Sequence, residues 1–251
     1  MDEFNNHDPL NKEYPDNDNM NQQNSDTVLH TDAVHEGVRS FVGDSTWMST
    51  RKYNLMIGAH LLYGLILTAV ICSFMGRIFA TTYISHPYIF SILFLLVSIG
   101  GSKLAQTESY GMSLLGYTIV VLGFGSLTAS FVPFFALPLV IYAAIFTSIL
   151  VVVMTVCAFV FPNAFQGLGR TLFFSLLGLI VTELIAMLIG FSSDIFSLVG
   201  LFIFALYVGY DWSKGQQYPK LASYAVITAM ELYMDVINIF IRILSLMGRR
   251  K

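Results

Sequence analysis

From Arg51 onward the chain is a succession of long apolar runs broken by short polar or turn-forming clusters. A helix needs about 20 apolar residues to cross a hydrocarbon core of roughly 30 Å. On that scale the pattern predicts spans over residues 54–75, 88–104, 110–131, 135–161, 171–190, 195–216 and 223–246. The breaks fall at Arg77 to Pro87, Gln106 to Ser109, Val132 to Pro138, Pro162 to Arg170 and Gly190 to Asp194. A membrane β-barrel would alternate in polarity along each strand, whereas Ile141 to Val160 is apolar throughout, so the expected fold class is all-α: a polytopic membrane protein with seven transmembrane helices. Two domains follow, an acidic N-terminal tail over 1–45 and a seven-helix transmembrane domain over 46–251.

Composition agrees with this division. The chain is 55% hydrophobic and 12% charged, more apolar than a water-soluble domain of its size. Its net charge of −3 averages two unlike regions. Residues 1–50 hold ten acids and two bases, a net of −8, and the remainder holds six acids and eleven bases, a net of +5. The tail is rich in Asp and Asn without periodicity, and is expected to be disordered because it has too little apolar surface to offset ordering entropy. It lacks the basic stretch and apolar run of a signal peptide, so targeting is expected to come from the first span. Tail-side loops carry Arg51, Lys52, Lys103, Arg170, Lys214 and Lys220, which places the N-terminus in the cytoplasm by the positive-inside rule. The final Arg249, Arg250 and Lys251 run against that rule and leave open a last segment that re-enters instead of crossing.

Ionisable groups inside a membrane cost roughly 2.5 to 3.5 kcal/mol on insertion scales, so each is a functional candidate. Here they are Glu183, Asp211, Glu231, Asp235 and Arg242. Glu231, Asp235, Asn238 and Arg242 are spaced by four, three and four, which puts them within about 60° of one another on a helix. The residues between them are apolar, so this polar stripe must face the bundle or an aqueous path. One reading is structural pairing, Glu183 or Asp211 to Arg242. Against it stand four acids and one firmly embedded base, with Lys103 at a helix end as a second, so some acids must be protonated, share a proton or bind a cation. His60 has no second His or Cys at metal-ligand spacing and reads as a histidine satisfied by a neighbouring helix. Gly123 and Gly125 read as helix-contact residues, and Cys72 and Cys157 as small hydrophobes in apolar runs. Phosphate loops and dinucleotide fingerprints are absent from the sequence, and no nucleic-acid partner is expected.

Leu206-Tyr207-Val208-Gly209-Tyr210-Asp211, followed by Ala229-Met230-Glu231-Leu232-Tyr233-Met234-Asp235-Val236-Ile237-Asn238-Ile239-Phe240, resembles the carboxy-terminal signature of the Bax inhibitor family, the transmembrane Bax inhibitor motif proteins. Thr50-Arg51-Lys52-Tyr53-Asn54-Leu55 is similar to the start of the first span in bacterial members. The resemblance implies six helices in two groups of three around a central seventh. It also implies a cation leak governed by pH, usually discussed for calcium, with Asp211 and Asp235 as the paired aspartates. Glu231 stands where a small or amide residue is expected, Phe94 where some members carry an acid, and Lys103 is the candidate for a basic latch.

Two carboxylates close together in a low-dielectric site cannot both ionise cheaply and titrate as a coupled pair. Deprotonated, Asp211 and Asp235 would offer hard oxygens to a weakly held, transient calcium ion, with Glu231 and the Asn238 amide along the same stripe and water completing the shell. Calcium is then the permeant species, and no tightly bound cofactor is expected. Arg242, Glu183 and Lys103 are the supporting charges. Two other classes remain open: an adaptor acting on proteases or cell-death factors, and an intramembrane aspartyl protease, for which the Gly-x-Gly-Asp expected around the second aspartate is missing. The expected partners are the lipid bilayer and a cation, the expected location a bacterial plasma membrane.

Overall fold

The computed structural model describes residues 47–190 and 194–248. The acidic tail over 1–45, residues 191–193 and the terminal Arg249, Arg250 and Lys251 lie outside the described residues. Among the described residues, seven helices are long and apolar enough to cross a membrane. They are α1 (Thr50–Ser85), α2 (Pro87–Ala105), α3 (Tyr110–Phe131, continued by a 3₁₀ turn over Val132–Phe134), α4 (Leu137–Val160), α5 (Gly169–Leu188), α6 (Asp194–Gly215) and α7 (Ala222–Gly248). A single-turn helix, Pro162–Gln166, lies between α4 and α5.

Boundaries follow local chemistry. The Ser49 hydroxyl caps α1 by accepting from the Lys52 backbone N–H at 3.3 Å. Pro87 and Pro138 fall in the first turns of α2 and α4, where a missing N–H costs nothing. Beyond α5, Gly190 has φ +70°, a left-handed conformation that glycine takes without strain. One boundary differs from the sequence pattern. The Arg77–Pro87 stretch, expected to be a break, is helical to Ser85. Nothing before Pro87 stops the helix, and the Thr81, Thr82 and Ser85 hydroxyls each donate to a carbonyl of the preceding turn. At 1.5 Å per residue, Arg77 lies about 40 Å from the start of α1, beyond a hydrocarbon core of roughly 30 Å, so its charge needs no partner inside the bilayer.

Helices α1, α2 and α3 pack on one another, α6 packs against both α4 and α5, and α7 lies between the two groups. It packs against α1, α2, α3, α4 and α6, and its Arg242 reaches Glu183 on α5. Two-thirds of the apolar window of α7 is buried (67%), against 17% for α4 and α5. α7 is one unbroken helix from Ala222 to Gly248, so among the described residues the last segment does not turn back. Large apolar side chains such as Phe74, Phe159 and Phe202 point outward, as expected where the surroundings are lipid.

The packing of α7 is fastened by tyrosines whose rings are buried and whose hydroxyls find partners. Tyr233 on α7 bonds Thr68 on α1 at 2.6 Å, and Tyr117 on α3 donates to the His60 carbonyl on α1 at 3.0 Å. The Tyr117 and Tyr233 rings meet edge to face at 5.8 Å. His60 is satisfied as expected, its Nδ1 2.8 Å from the Met56 carbonyl and its Nε2 3.2 Å from the Tyr110 hydroxyl on α3. Phe94 packs edge to face on Phe124 at 5.0 Å, in an apolar setting that would penalise an acid.

Close approach of α2 and α3 depends on Gly116, where an added Cβ would fall onto the backbone of Ala105 and Gly101. Backbone cannot swing aside as a flexible side chain can. Gly116→Ala is therefore expected to lower stability by about 1–3 kcal/mol. Gly58→Ala, with open space at its Cβ, should be neutral or stabilising by up to about 1 kcal/mol. Denaturant unfolding in detergent compares the two.

Candidate functional site: a carboxyl pair between the last two helices

The α6–α7 hairpin has to bring Asp211 and Asp235 to one depth although they lie unequally far from the turn. Asp211 is four residues from the end of α6, about 6 Å along the axis, and Asp235 thirteen residues from the start of α7, about 20 Å. The difference is taken up by residues 216–221. They form a tight turn, Gln217 N–H to Lys214 carbonyl at 3.0 Å, and then continue without helical structure through Pro219.

This linker is held from outside the hairpin by the first turns of α1. The buried Tyr53 hydroxyl donates to the Gly215 carbonyl at 3.0 Å and lies 3.2 Å from the Thr228 hydroxyl. Gln216 donates to Asn54 Oδ1 at 3.0 Å, and Met48 N–H to the Lys220 carbonyl at 2.9 Å. The Lys220 ammonium bonds the Gln216 carbonyl at 2.6 Å and stacks over the Tyr53 ring at 4.4 Å. Burial pulls the Lys220 amine below its ordinary value. The Tyr53-Asn54 motif therefore fixes the register of α6 against α7.

In that register the antiparallel helices match residue to residue. Asp211 on α6 and Asp235 on α7, 6% and 4% exposed, are neighbouring buried carboxyl groups. Carboxylates only accept, so a direct hydrogen bond between the two would need one of them to carry a proton. One turn nearer the linker, the Lys214 ammonium bonds Glu231 Oε1 at 2.6 Å, with side-chain exposures of 32% and 14%. Asp235 Oδ2 and Glu231 Oε2 are buried without a hydrogen-bond partner among the described residues. Burial raises the Tyr218 phenol above its ordinary value, reinforced by the Glu231 charge and opposed by Lys214.

The remaining candidates lie apart from this cluster. Arg242 forms a two-pronged bond with Glu183, at 2.6 and 3.1 Å, and also donates to the Phe196 carbonyl at 3.0 Å. Of the two acids expected for it, Arg242 takes Glu183 and not Asp211. Its guanidinium lies where a Cβ on residue 200 would be, so Gly200 makes its room. Asn238 turns back on its own helix, donating to the Met234 carbonyl at 2.8 Å. Lys103 is exposed in the last turn of α2 and forms no ion pair or hydrogen bond among the described residues. Lys214 had counted only as a loop base, because it closes an apolar run. Its place three residues after Asp211, matching Glu231 four residues before Asp235, is the signal that ties it to the site. Among the described residues no group of three or more His, Cys, Asp or Glu could hold a metal ion, so any cation would rest on two carboxyls and water.

A seven-helix membrane protein with a buried aspartate pair, one member on α6 and one on the central α7, is the class these observations define. Residues 47–251 match the family described as "Inhibitor of apoptosis-promoting Bax1", and the chain belongs to that family as an integral membrane protein. It is 29% identical over 189 residues to a Helicobacter pylori protein, covering 72% of this chain and 69% of that one. A Deinococcus radiodurans protein is 31% identical over 109 residues, 39% of this chain and 46% of its own. The "Inner membrane protein YbhL" of Escherichia coli K12 is 27% identical over 97 residues, 34% and 42% respectively. The chain thus spans under half the length of two of these relatives.

Arg242→Met is expected to cost about 1–3 kcal/mol, because it removes charge-assisted bonds and leaves Glu183 partly buried without its partner. Arg242→Met combined with Glu183→Leu should recover most of that loss, since apolar replacement of a buried ion pair is often neutral. Denaturant unfolding of the single and double variants measures both.

Proposed function

We propose that this protein is a pH-dependent cation leak, with calcium as its permeant ion and the Asp211–Asp235 pair as its proton sensor. One observation carries the reading: two carboxyl groups, Asp211 on α6 and Asp235 on the central α7, are buried as neighbours. In a low-dielectric setting such a pair holds a proton between its members. With the proton gone, the pair becomes two adjacent anions in a low-dielectric setting, which favours entry of a cation or separation of the helices.

Calcium takes about six to eight oxygen ligands. Two carboxyls with water hold it loosely, and loose holding suits conduction, because the ion must leave again. The N-terminus faces the cytoplasm of a bacterial plasma membrane in this reading. The distribution of bases supports that orientation, and the printed name of the Escherichia coli relative is compatible with the location.

The test is calcium flux into vesicles reconstituted with the full chain, measured across a pH series. Wild-type protein should give a flux that changes with pH, and Asp211→Asn and Asp235→Asn should each flatten the profile. A flux absent at every pH, or pH profiles identical in the wild type and both variants, would overturn the reading.

A further inference from the structure

Lys214 and Glu231 lie one turn to the linker side of the Asp211–Asp235 pair. The gradient of exposure runs inward along the matched helices, from Lys214 at 32% through Glu231 at 14% to the nearly closed pair. The Lys214 ammonium, partly exposed, sits against the kinds of groups that hold a bound cation. It lies 2.6 Å from Glu231 Oε1, 5.9 Å from the Tyr210 ring centre and 5.8 Å from the Tyr218 ring centre. Aromatic faces within about 6 Å and a carboxylate in contact are the standard surroundings of an alkylammonium ion. The neighbouring charge is unbalanced, with Glu231, Asp211 and Asp235 against one base. Two buried carboxyl oxygens one turn apart on α7, Glu231 Oε2 and Asp235 Oδ2, have no partner among the described residues.

We infer that Lys214 is the resident occupant of a cation site built by Glu231, Tyr210 and Tyr218, so that a free cation reaches the Asp211–Asp235 pair only by displacing this tethered ammonium. The site takes primary alkylammonium ions, for which an ammonium on a four-carbon stem is a covalent surrogate, and the calcium of the proposed leak passes only when that ammonium is displaced. Lys214 thereby determines which cations reach the pair. The idea rests on the cation pathway proposed above, but site occupancy can be measured without flux.

Lys214→Ala removes three methylenes and the ammonium, the equivalent of propylammonium. With the full-length variant in detergent, propylammonium should raise the unfolding temperature saturably. It should also shift Trp212 emission in a Trp47→Phe background. Neither response is expected from the wild type, whose site is filled, or from Lys214→Ala/Glu231→Gln, whose site lacks its carboxylate.

A second measurement needs no truncation of Lys214. In Glu231→Gln the ammonium loses its ion pair, and an amine-acylating reagent should modify Lys214 about tenfold faster than in the wild type, read by mass spectrometry. No saturable response of Lys214→Ala, an equal response of the double variant, or equal acylation rates would overturn the inference. Propylammonium binding in a protein that passes no calcium at any pH would leave the cation site standing and count against the leak.

Discussion

The structure turns on one constraint, that two carboxyl groups buried at the same depth on adjacent helices must satisfy each other. In a bundle surrounded by lipid no water stands behind the helices, and a lone buried carboxylate would be costly. Sharing a proton between Asp211 and Asp235 would meet that cost only if α6 and α7 hold their register, and the hairpin alone does not set it. The unequal distances of the two aspartates from the turn demand a linker that climbs without adding helix. Tyr53, Asn54 and Met48 on the first segment pin that linker in place. The start of α1 thus positions a site formed between α6 and α7.

The same logic organises the rest of α7. Its polar stripe meets polar partners in order: Lys214 at Glu231, Asp211 at Asp235 and Glu183 at Arg242. Its apolar sides meet the tyrosine and aliphatic packing of α1 and α3. In the Arg242–Glu183 pair both carboxylate oxygens are engaged, while Arg242 Nε is buried without a partner among the described residues. The Asp211–Asp235 and Lys214–Glu231 pairs each leave a carboxyl oxygen free on α7.

Much of this was legible in the sequence because lipid imposes strong rules. Seven apolar runs, the polar stripe and the α6–α7 signature each follow from residue order, and Asp211 and Asp235 were recognisable from their flanking residues. Helix ends were less legible where hydropathy and helix-breaking disagree. Arg77 marks a fall in hydropathy, yet the helix runs on to Ser85 because its hydroxyls turn inward and no proline intervenes. Lys214 was legible only as a tail-side loop base, because a base at the end of an apolar run looks like a loop residue until the opposite helix is placed. Whether Arg242 would choose Glu183 or Asp211 also depended on three-dimensional placement, as did the room made by Gly200.

The central claim is that a proton sits between Asp211 and Asp235, and infrared spectroscopy of the reconstituted protein tests it most directly. The account predicts a carbonyl stretch of a protonated carboxyl that disappears as the pH rises and is lost or displaced in Asp211→Asn and in Asp235→Asn. Spectra of the wild type and both variants that coincide throughout the pH series would contradict it.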